Sequence, residues 1–495
     1  MGEVPDEVYE LLAMTGSRAT GAFCVLDQSD VDRLAEAALT ILDRLGMTCQ
    51  SPTLLKALES WGARVDLAAQ QVTFPRSLVE DFVRRTRAEA QPDNAAPAFF
   101  RAPPMPWTFH PLAVYFYDDA GQQKRAGNRD DFIAMTKLGD VLHPERGVGH
   151  SLLLSDVPSE VEPLEAALLL CEWGHRPRGV YVQDVRQIPY LQEMEDIAGI
   201  SDPYWHWMAN VSFSTPLRLG RDIAERFVRM VRSGHYPAQV YNFAVSGVNM
   251  PATVAGCAAL AGAELLALWM AARALSPDIS LEGGLAWIAT ADMRTGDISY
   301  SGYDATIRSL ATCEFLRRWT GVTVSPGGGE YNPSSIPGTY TALEKAYRAM
   351  TVAAFTGVHP AVGLGHVEAG LSLSPVQLLL DREVTAGLGL LEHPPVDEDT
   401  LGLDTILSVG HGEHGTYLET EHTLRHFRSA LWQPRLFDRG GWAGIESEQA
   451  VLARAQDRVR ELLAEYRKPE FDPDRLEKMR AVVARARREM QGDRG

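Results

Sequence analysis

The chain is 495 residues long, carries a formal net charge of −18, and is 45% hydrophobic and 23% charged. These proportions are typical of a soluble globular protein, and the acidic charge argues against a nucleic-acid-binding protein. The five cysteines form no Cys-x-x-Cys pair, which indicates neither a disulfide framework nor a thiolate zinc site. The N-terminus is too acidic and polar for a secretory signal. We therefore expect a reduced, cytoplasmic protein.

The first part of the chain, residues 1–107, is predicted to be an N-terminal arm and helical segment packed on the rest. After a loose arm, apolar residues at helical spacing predict helices at Ser29–Leu45, Pro52–Trp61 and Arg76–Thr86. A short strand is expected at 71–74. An Ala- and Pro-rich connector follows.

Residues 108–391 repeat a pattern of one strand followed by one helix about eight times. The predicted strands lie at 112–118, 147–154, 179–184, 206–213, 238–245, 278–282, 322–325 and 361–366. The predicted helices lie at 129–142, 160–174, 187–198, 220–233, 252–275, 303–319, 338–356 and 374–391. Alternating strands and helices imply parallel pairing, and near eight repeats closure is favoured over an open sheet. The fold class is thus α/β, a (β/α)₈ TIM barrel.

Two helical regions remain. The most apolar stretch, from Ala252 to Leu275, carries Glu264 and Arg273 between strand-like runs, which favours a buried helix over a membrane span. Residues 392–495 form a C-terminal helical extension, with charged residues at helical spacing that predict solvated helices. We expect one functional unit overall and no membrane partner.

Polar and aromatic residues recur where the predicted strands end, and active sites of barrels lie at the carboxyl ends of strands. Each taken alone is more easily explained as structural, but their recurrence indicates a site. The predicted catalytic residues are His366 and Glu330. The predicted substrate-binding residues are Tyr115, Tyr117, Asp118, His150, Asn210, Asn242, Glu282, Tyr331 and Glu368. Glycines precede both predicted catalytic residues, which indicates close backbone approach or tight turns.

Aromatic residues are concentrated near the same strand ends. They are Trp205, Trp207, Tyr241, Phe243, Trp287, Tyr300 and Tyr303. Most are expected to serve packing, but a subset of such rings holds a quaternary ammonium through cation–π attraction, at roughly 0.5–2 kcal/mol per contact.

No metal site is predicted. The histidines at 411, 414, 422 and 426 have spacings loosely compatible with metal ligands, but no cysteine joins them. We interpret that segment as a loop leading into an N-capped helix. No Gly-x-Ser-x-Gly or phosphate-binding glycine motif supports a serine hydrolase or a nucleotide-binding protein.

Several runs, in their order and spacing, resemble the trimethylamine methyltransferase family over nearly the whole chain. They are Pro251–Gly256, Ala291–Gly296, Ser374–Glu383 and Glu421–Asp438, with weaker matches at Ile41–Leu45, Gly62–Asp66 and Val72–Phe74. The resemblance implies a TIM barrel that moves a methyl group from an amine to the cobalt of a corrinoid (cobalamin) carried by a separate partner protein.

One departure from that family concerns the substrate. Trimethylamine enzymes carry pyrrolysine in the barrel mouth, whereas this chain contains the standard twenty residues alone. This is similar to the non-pyrrolysine branch, which demethylates quaternary amines such as glycine betaine. A quaternary nitrogen is already activated as a leaving group, so Co(I) attack needs no covalent adduct with the protein. We also expect a homo-oligomer.

Two other functions stay open from the sequence. The same fold suits a metal-free lyase or hydrolase that uses Glu330 and Glu368 as an acid–base pair. A non-catalytic binder of betaine-like ligands would keep the aromatic cage and lack the chemistry.

His366 follows Gly363-Leu-Gly at the end of the last predicted strand. We expect its ring in or near the barrel mouth, where it would bind a substrate carboxylate or donate a proton. The alternative is a histidine that merely bonds a backbone carbonyl. Glu368 would orient the ring in either case. His366→Ala is expected to reduce methyl transfer roughly a hundredfold with folding nearly unchanged.

Overall fold

The computed structural model describes residues 24–90, 109–118, 123–202, 205–238, 240–281, 284–356, 362–388, 396–411, 415–430 and 433–492. The helices are α1 (Gln28–Arg44), α2 (Pro52–Trp61), α3 (Arg76–Glu89), α4 (Arg129–Leu142), α5 (Glu162–Trp173), α6 (Ile188–Ala198), α7 (Arg221–Ser233), α8 (Val254–Leu275), α9 (Tyr303–Thr320), α10 (Thr339–Thr356), α11 (Pro375–Leu388), α12 (Glu398–Leu401), α13 (Leu403–Val409), α14 (Glu421–Ala430), α15 (Ile445–Glu465) and α16 (Pro473–Gly492).

The strands are shorter. They are β1 (Met47–Cys49), β2 (Arg64–Asp66), β3 (Gln71–Thr73), β4 (Tyr115–Tyr117), β5 (Lys124–Ala126), β6 (Arg218–Leu219), β7 (Val240–Ser246), β8 (Gly284–Ala291), β9 (Ile298–Ser299), β10 (His366–Val367) and β11 (Ser372–Leu373). The long predicted helices are confirmed closely because capping residues and helical periodicity are local signals. Helix α4, for example, begins after a capping box at Asn128 and ends as predicted.

Strand segments between the helices pair in parallel and in chain order. Single bridges join Phe109 to Val148, Val148 to Pro177, Tyr181 to Met208, Ser212 to Tyr241 and Leu285 to Ser325. Between the last two of these, β7 and β8 pair at seven positions. The molecule is therefore a mixed α/β structure with parallel neighbours connected through helices. The described residues show no closed ring of strands, so barrel closure stays a prediction.

The first predicted strand, 112–118, divides into two parts. Phe109 and Ala113 belong to the parallel series, whereas β4 pairs antiparallel with β5 and parallel with β11. Leu112, between Phe109 and Ala113, has a φ of +54°, so the parallel part is not one extended strand. The predicted site residues on β4 therefore lie on a hairpin beside the parallel series.

The sixth predicted strand, 278–282, was placed too early in the sequence. The strand is β8, and its parallel register with β7 sets Tyr241 opposite Leu285 and Phe243 opposite Trp287. The glycines that precede β8 concealed its start, because Gly is rare inside strands.

Helix α8 is the apolar stretch that resembles a membrane span in length and composition. In its most apolar 18-residue window, 78% is buried inside the molecule. Helices α1, α2, α7 and α9 pack around it. The prediction of a buried helix is therefore confirmed, and α8 is a core helix.

The C-terminal helices are more than a solvated tail. Helix α15 packs on α4 and α11, and α16 packs on α5 and α6. Val451, Val459 and Met479 are buried in the main hydrophobic core. The prediction of solvated helices was wrong for one face, because charged residues on the outer face obscured the apolar stripe on the inner one.

Candidate functional site

The two faces of β7 differ, and this difference positions the site. Asn242, Ala244 and Ser246 are buried on the side of α8, where Ala244 packs with residues of that helix. Tyr241 and Phe243 alternate with them and are half-buried on the opposite side. We call the side turned away from α8 the inner face. Half-exposed rings on the inner face of a parallel series indicate open space there.

Five aromatic residues form an unbroken run from this inner face. The ring centroids of Tyr241 and Phe243 lie 5.8 Å apart, and those of Phe243 and Trp287 lie 6.0 Å apart. Tyr331 approaches Trp287 at 3.7 Å. Tyr300 lies 6.2 Å from Trp287 and 6.3 Å from Tyr331. We call Tyr241, Phe243, Trp287, Tyr300 and Tyr331 the aromatic cluster.

A glycine allows the cluster to form. Gly327 has a φ of +76°, and a Cβ atom there would lie 2.1 Å from Nε1 of Trp287. Any other residue would displace the indole ring from its place beside Tyr331. The glycines before Glu330 thus serve a close approach of backbone to ring, one of the two uses expected of them.

His366 extends the aromatic cluster, with its ring 5.4 Å from that of Tyr331. The side chain is buried, and Nε2 lies 2.8 Å from the backbone oxygen of Pro111. Because a carbonyl can only accept, Nε2 carries the proton and Nδ1 carries a lone pair. Burial lowers the pKa of His366 to about 4, so the ring is neutral near pH 7.

This geometry departs from the expected roles of His366. A neutral ring whose single N–H is engaged has no donor for a substrate carboxylate and no proton to give. The expected alternative, a bond to a backbone carbonyl, is present. Glu368 does not orient the ring: its carboxylate pairs with Lys124 and accepts from Ser372. The left-handed backbone at Glu368 and Ala369 directs that side chain toward β4 and β5.

Behind His366 lies a buried group of charges that we call the ion cluster: Glu330, Lys345 and Asp381. The Lys345 ammonium lies 3.2 Å from Glu330 and also bonds Asp381. Glu330 also accepts from the backbone N–H groups of Gly363 and Leu364. The carboxylate predicted to be catalytic therefore fastens the glycine-rich segment before His366.

The charges of the ion cluster influence one another. Burial raises the pKa of Asp381 to about 7, with Lys345 opposing this shift and Glu330 adding to it. Burial by itself lowers the pKa of Lys345, but the two carboxylates raise it above its usual value. The ammonium therefore stays charged and holds two acidic groups in the interior.

A cavity of about 860 Å³ adjoins the aromatic cluster. Its wall includes Ser299, next to Tyr300, and Pro333, two residues after Tyr331. The charged residues in its lining are Asp292, Arg294, Asp297, Asp304 and Glu344. We call it the entrance cavity.

Comparison with known proteins identifies the family. The profile described as trimethylamine methyltransferase (MTTB) matches residues 8–491. The chain belongs to this family.

Relatives within the family are distant in sequence. A trimethylamine methyltransferase of Methanosarcina mazei is 27% identical over 279 residues, 56% of this chain and 54% of the relative. A glycine betaine methyltransferase of Desulfitobacterium hafniense is 28% identical over 284 residues, 56% and 57% of the two chains. A trimethylamine methyltransferase of that organism is 22% identical over 461 residues, 89% of each chain. The alignment to the first two spans about half their length.

Two of the predicted site residues of this trimethylamine methyltransferase family member face the helices instead. His150 is fully buried, receives the Tyr181 N–H at Nδ1 and bonds Glu162 through Nε2 at 3.0 Å. Asn242 donates to Glu264 of α8, whose pKa burial raises to about 7. Both side chains are held in structural networks, because alternation along a strand sends every second residue outward.

The hairpin residues lie apart from the rings. Tyr115 is partly exposed beneath the Lys124 ammonium, 4.4 Å from its ring centroid. Tyr117 donates to the Ser335 backbone oxygen, and Asp118 caps the turn at Gln123. The Tyr117 contact joins the hairpin to the loop after Tyr331.

The last two predicted substrate-binding residues are Asn210, which the structure describes, and Glu282, which it does not. Asn210 is exposed and has the same strand parity as Met208 and Ser212, which pair with Tyr181 and Tyr241. It therefore belongs to the inner face, as expected of a binding residue. Glu282 lies outside the described residues.

The sequence patterns predict neither Lys345 nor Asp381 as site residues, although a signal was present. Ala342, Lys345, Ala349 and Val352 fall on one stripe of α10, and all four are buried. A lysine on an otherwise apolar stripe indicates a buried partner. Tyr181, whose pKa is raised by burial and by Tyr241 and Tyr331, was missed as well.

The four histidines near residue 420 do not form a ligand group in the described part of the chain. His414 lies outside the described residues, and His411 is exposed. His426 lies 3.2 Å from Asp399, and its ring is 4.6 Å from that of His422. Among the described residues, no three His, Cys, Asp or Glu side chains are arranged to hold a metal ion.

Proposed function

We propose that this protein moves a methyl group from a small quaternary amine, of the size of glycine betaine, to the Co(I) of a corrinoid carried by a separate protein. The observation that carries the proposal is the aromatic cluster on the inner face of β7 and β8. Family membership supports the same reaction class. Relatives named for trimethylamine and for glycine betaine support a small methylated amine as the substrate.

The proposed scaffold is a (β/α)₈ barrel spanning 108–391, carrying the segments 1–107 and 392–495 as parts of one unit. The parallel series of strand segments in chain order supports it. Where the described residues show no backbone bridge between neighbouring strand segments, two side-chain hydrogen bonds connect the segments. Glu330 bonds Gly363, and His366 bonds Pro111, so that the last segment is tied to both the preceding and the first.

The reaction balances without a group on the protein that reacts. The C–N bond of the quaternary amine breaks, its electron pair stays on nitrogen, and the methyl carbon forms a bond with the electron pair of Co(I). The products are a tertiary amine and a methylated corrinoid. The chain contributes position and exclusion of water, since a quaternary nitrogen is already a good leaving group. This agrees with a chain made of the standard twenty residues alone.

The aromatic cluster suits this work because it holds a cation without a counter-charge. Each ring face contributes roughly 0.5–2 kcal/mol to a quaternary ammonium. A carboxylate in contact would stabilise the positive substrate more than the transition state, in which that charge is being lost. Rings hold the substrate with less of this penalty.

The methyl acceptor is bulky and requires an approach without protruding side chains. Gly327 lies beside Trp287, where it offers backbone alone. We propose this side of the molecule for the corrinoid protein. We further propose a cytoplasmic homo-oligomer.

The rival acid–base mechanism lacks free groups. Glu330 is bonded by Lys345 and two backbone N–H groups, and Glu368 is bonded by Lys124 and Ser372. Neither carboxylate is placed to exchange a proton with a ligand at the aromatic cluster. The other alternative, a non-catalytic binder, would hold the same ligands at the aromatic cluster and would differ from the proposed enzyme only in lacking turnover.

The test incubates the protein with a reduced corrinoid protein and glycine betaine, choline, tetramethylammonium or trimethylamine. Methyl–cobalt absorbance should appear with at least one quaternary amine and not with trimethylamine. Trp287→Leu should lower the rate about tenfold or more, whereas Trp442→Leu, at an exposed site, should not. Amine product without methyl–cobalt would overturn the proposal in favour of a hydrolase or lyase. Binding without turnover would leave a binder.

A further inference from the structure

A distinctive pair of atoms lies beside the aromatic cluster. Nδ1 of His366 and Oε2 of Glu330 lie 3.9 Å apart. Nδ1 is a hydrogen-bond acceptor because the Pro111 carbonyl fixes the His366 proton on Nε2. Oε2 is an acceptor already bonded by the Lys345 ammonium. Within the described residues, Nδ1 has no hydrogen-bond partner, and His366 is 1% exposed.

An unpaired buried acceptor beside a second acceptor favours a donor. Leaving such an atom unsatisfied costs free energy, which a ligand O–H or N–H recovers when it binds there. A carboxylate placed at the same point would add a third acceptor and a second negative charge near Glu330. The chemistry of this position is therefore selective for the polarity of the ligand.

A substrate carboxylate also lacks a cation to bind. The inner faces of β7 and β8 carry no lysine or arginine. The two basic side chains buried behind them are committed elsewhere. Lys345 bonds both carboxylates of the ion cluster, and Arg348 bonds Thr306 and the Pro326 carbonyl.

The entrance cavity has the same preference. Arg294 pairs with Asp292 of its own loop at 3.0 Å. Around the described cavity wall, the side-chain carboxylates of Asp297, Asp304 and Glu344 form no salt bridge, and Arg308 donates to the backbone oxygen of Asp304. Glu344 is held by Asn332 and Ser334 instead. Carboxylates therefore outnumber cations in the described lining of this cavity.

We propose that the substrate is a quaternary ammonium compound whose other end carries a hydrogen-bond donor and no negative charge, that is, a quaternary amino alcohol. The donor bonds Nδ1 of His366 while the methylated nitrogen lies against the aromatic cluster. This inference rests on the proposed function and narrows it. A zwitterionic betaine fits the rings and is disfavoured by the rest of the site.

Long-range charge gives the inference a signature that shape alone does not. A net cation is attracted by the carboxylates of the entrance cavity, whereas a zwitterion has no net charge. The attraction is screened as the Debye length falls from about 10 Å at 0.1 M salt to about 3 Å at 1 M. The preference for the cation should therefore shrink with salt.

The first experiment measures binding by calorimetry on the full chain without a corrinoid, with choline, glycine betaine and tetramethylammonium as probes. At low salt, choline should bind about tenfold more tightly than glycine betaine and more tightly than tetramethylammonium, which lacks the donor. The choline advantage over glycine betaine should narrow in 1 M salt. Equal or tighter binding of glycine betaine at low salt would overturn the inference, as would an advantage insensitive to salt.

Variants separate the two causes. Asp297→Asn combined with Asp304→Asn should weaken choline several-fold and leave glycine betaine unchanged, while the exposed Asp457→Asn on α15 should change neither. Asn210→Arg should supply the missing guanidinium on the inner face and shift the preference toward glycine betaine, whereas Asn210→Gln should not. No shift with Asn210→Arg in a variant that still binds tetramethylammonium would count against the inference.

Failure of this inference is distinguishable from failure of the proposed function. Methyl–cobalt formed from glycine betaine and not from choline would refute the amino alcohol and retain the methyltransferase. Choline binding with the expected salt dependence but without methyl–cobalt would retain the amino alcohol as the ligand and refute the methyltransferase.

Discussion

The two faces of strand β7 show how one short stretch of chain serves two purposes. Tyr241 and Phe243 face inward and continue into the aromatic cluster. Asn242, between them, faces α8 and bonds Glu264 in a buried network. Residues adjacent in sequence are thus separated by the thickness of a strand and belong to different chemistry. The inner face holds rings with partial exposure, and the outer layer holds charges and amides with their hydrogen bonds largely made.

If the ion cluster is structural, its disruption should cost stability first. Lys345→Met leaves Glu330 and Asp381 buried without their cation, and removing one partner of a buried ion pair costs about 3–5 kcal/mol. We expect the urea midpoint to fall accordingly, while the exposed Lys478→Met on α16 stays at the wild-type value. Adding Asp381→Asn to Lys345→Met should recover part of the loss. A stable Lys345→Met variant with impaired methyl transfer would move the ion cluster into the reacting site.

The buried hydrogen bonds of Glu264 should make the free energy of unfolding depend on pH. Burial raises the pKa of Glu264 from 4.5 to about 7, so the folded state binds this proton more tightly than the unfolded state does. Its contribution therefore destabilises the fold as pH rises from about 4.5 to 7, by an amount on the order of 3 kcal/mol. Glu264→Gln mimics the protonated form, and Asn242 can accept through its unpaired Oδ1 after an amide flip.

The measurement compares the free energy of unfolding of Glu264→Gln and wild type between pH 4.5 and 8. The difference should grow in favour of the variant as pH rises and level off above pH 7. Asp381 titrates in both proteins and cancels. A constant difference across this range would mean that Glu264 is not protonated in the folded state at low pH.

The His366 ring contacts Tyr331 of the aromatic cluster and also bonds the Pro111 carbonyl. A substitution can separate the roles of its two ring nitrogens. His366→Gln keeps an amide N–H for the Pro111 carbonyl and removes the acceptor at Nδ1. We expect methyl transfer to fall roughly a hundredfold with little loss of stability. His366→Ala loses the Pro111 bond as well and leaves a cavity, so the sequence-based expectation of unchanged folding is revised to a loss of about 1–3 kcal/mol. If His366→Gln transfers methyl groups normally, the ring acts on the fold alone.

The helices were predictable because their signals are local. Caps, apolar stripes and glycine stops fixed α4, α6 and α10 within a residue or two. The strands were less predictable, since runs of three to eight residues are decided by their neighbours. β8 was recognisable only from its register with β7. The strand prediction at 112–118 covered β4 but not its antiparallel pairing with β5.

The site was predictable in its location and less so in its roles. Tyr331, His366 and Glu330 do lie together, and four of the expected aromatics enter the aromatic cluster. His150 and Asn242 were assigned to the wrong face, because strand parity is lost when the start of a strand is uncertain by one residue. Lys345 was concealed on a helix distant in sequence from the residues it binds.

Helix α8 is covered in part by the N-terminal segment. Its 22 residues are apolar enough to enter a lipid bilayer, and α1 and α2 supply part of the surface that shields them. These two helices are synthesised some two hundred residues before α8 leaves the ribosome. The cover thus exists before the segment that needs it. A chain lacking residues 24–90 should therefore be recognised by chaperones or adsorb to membranes during translation, although none of the deleted residues belongs to the aromatic cluster.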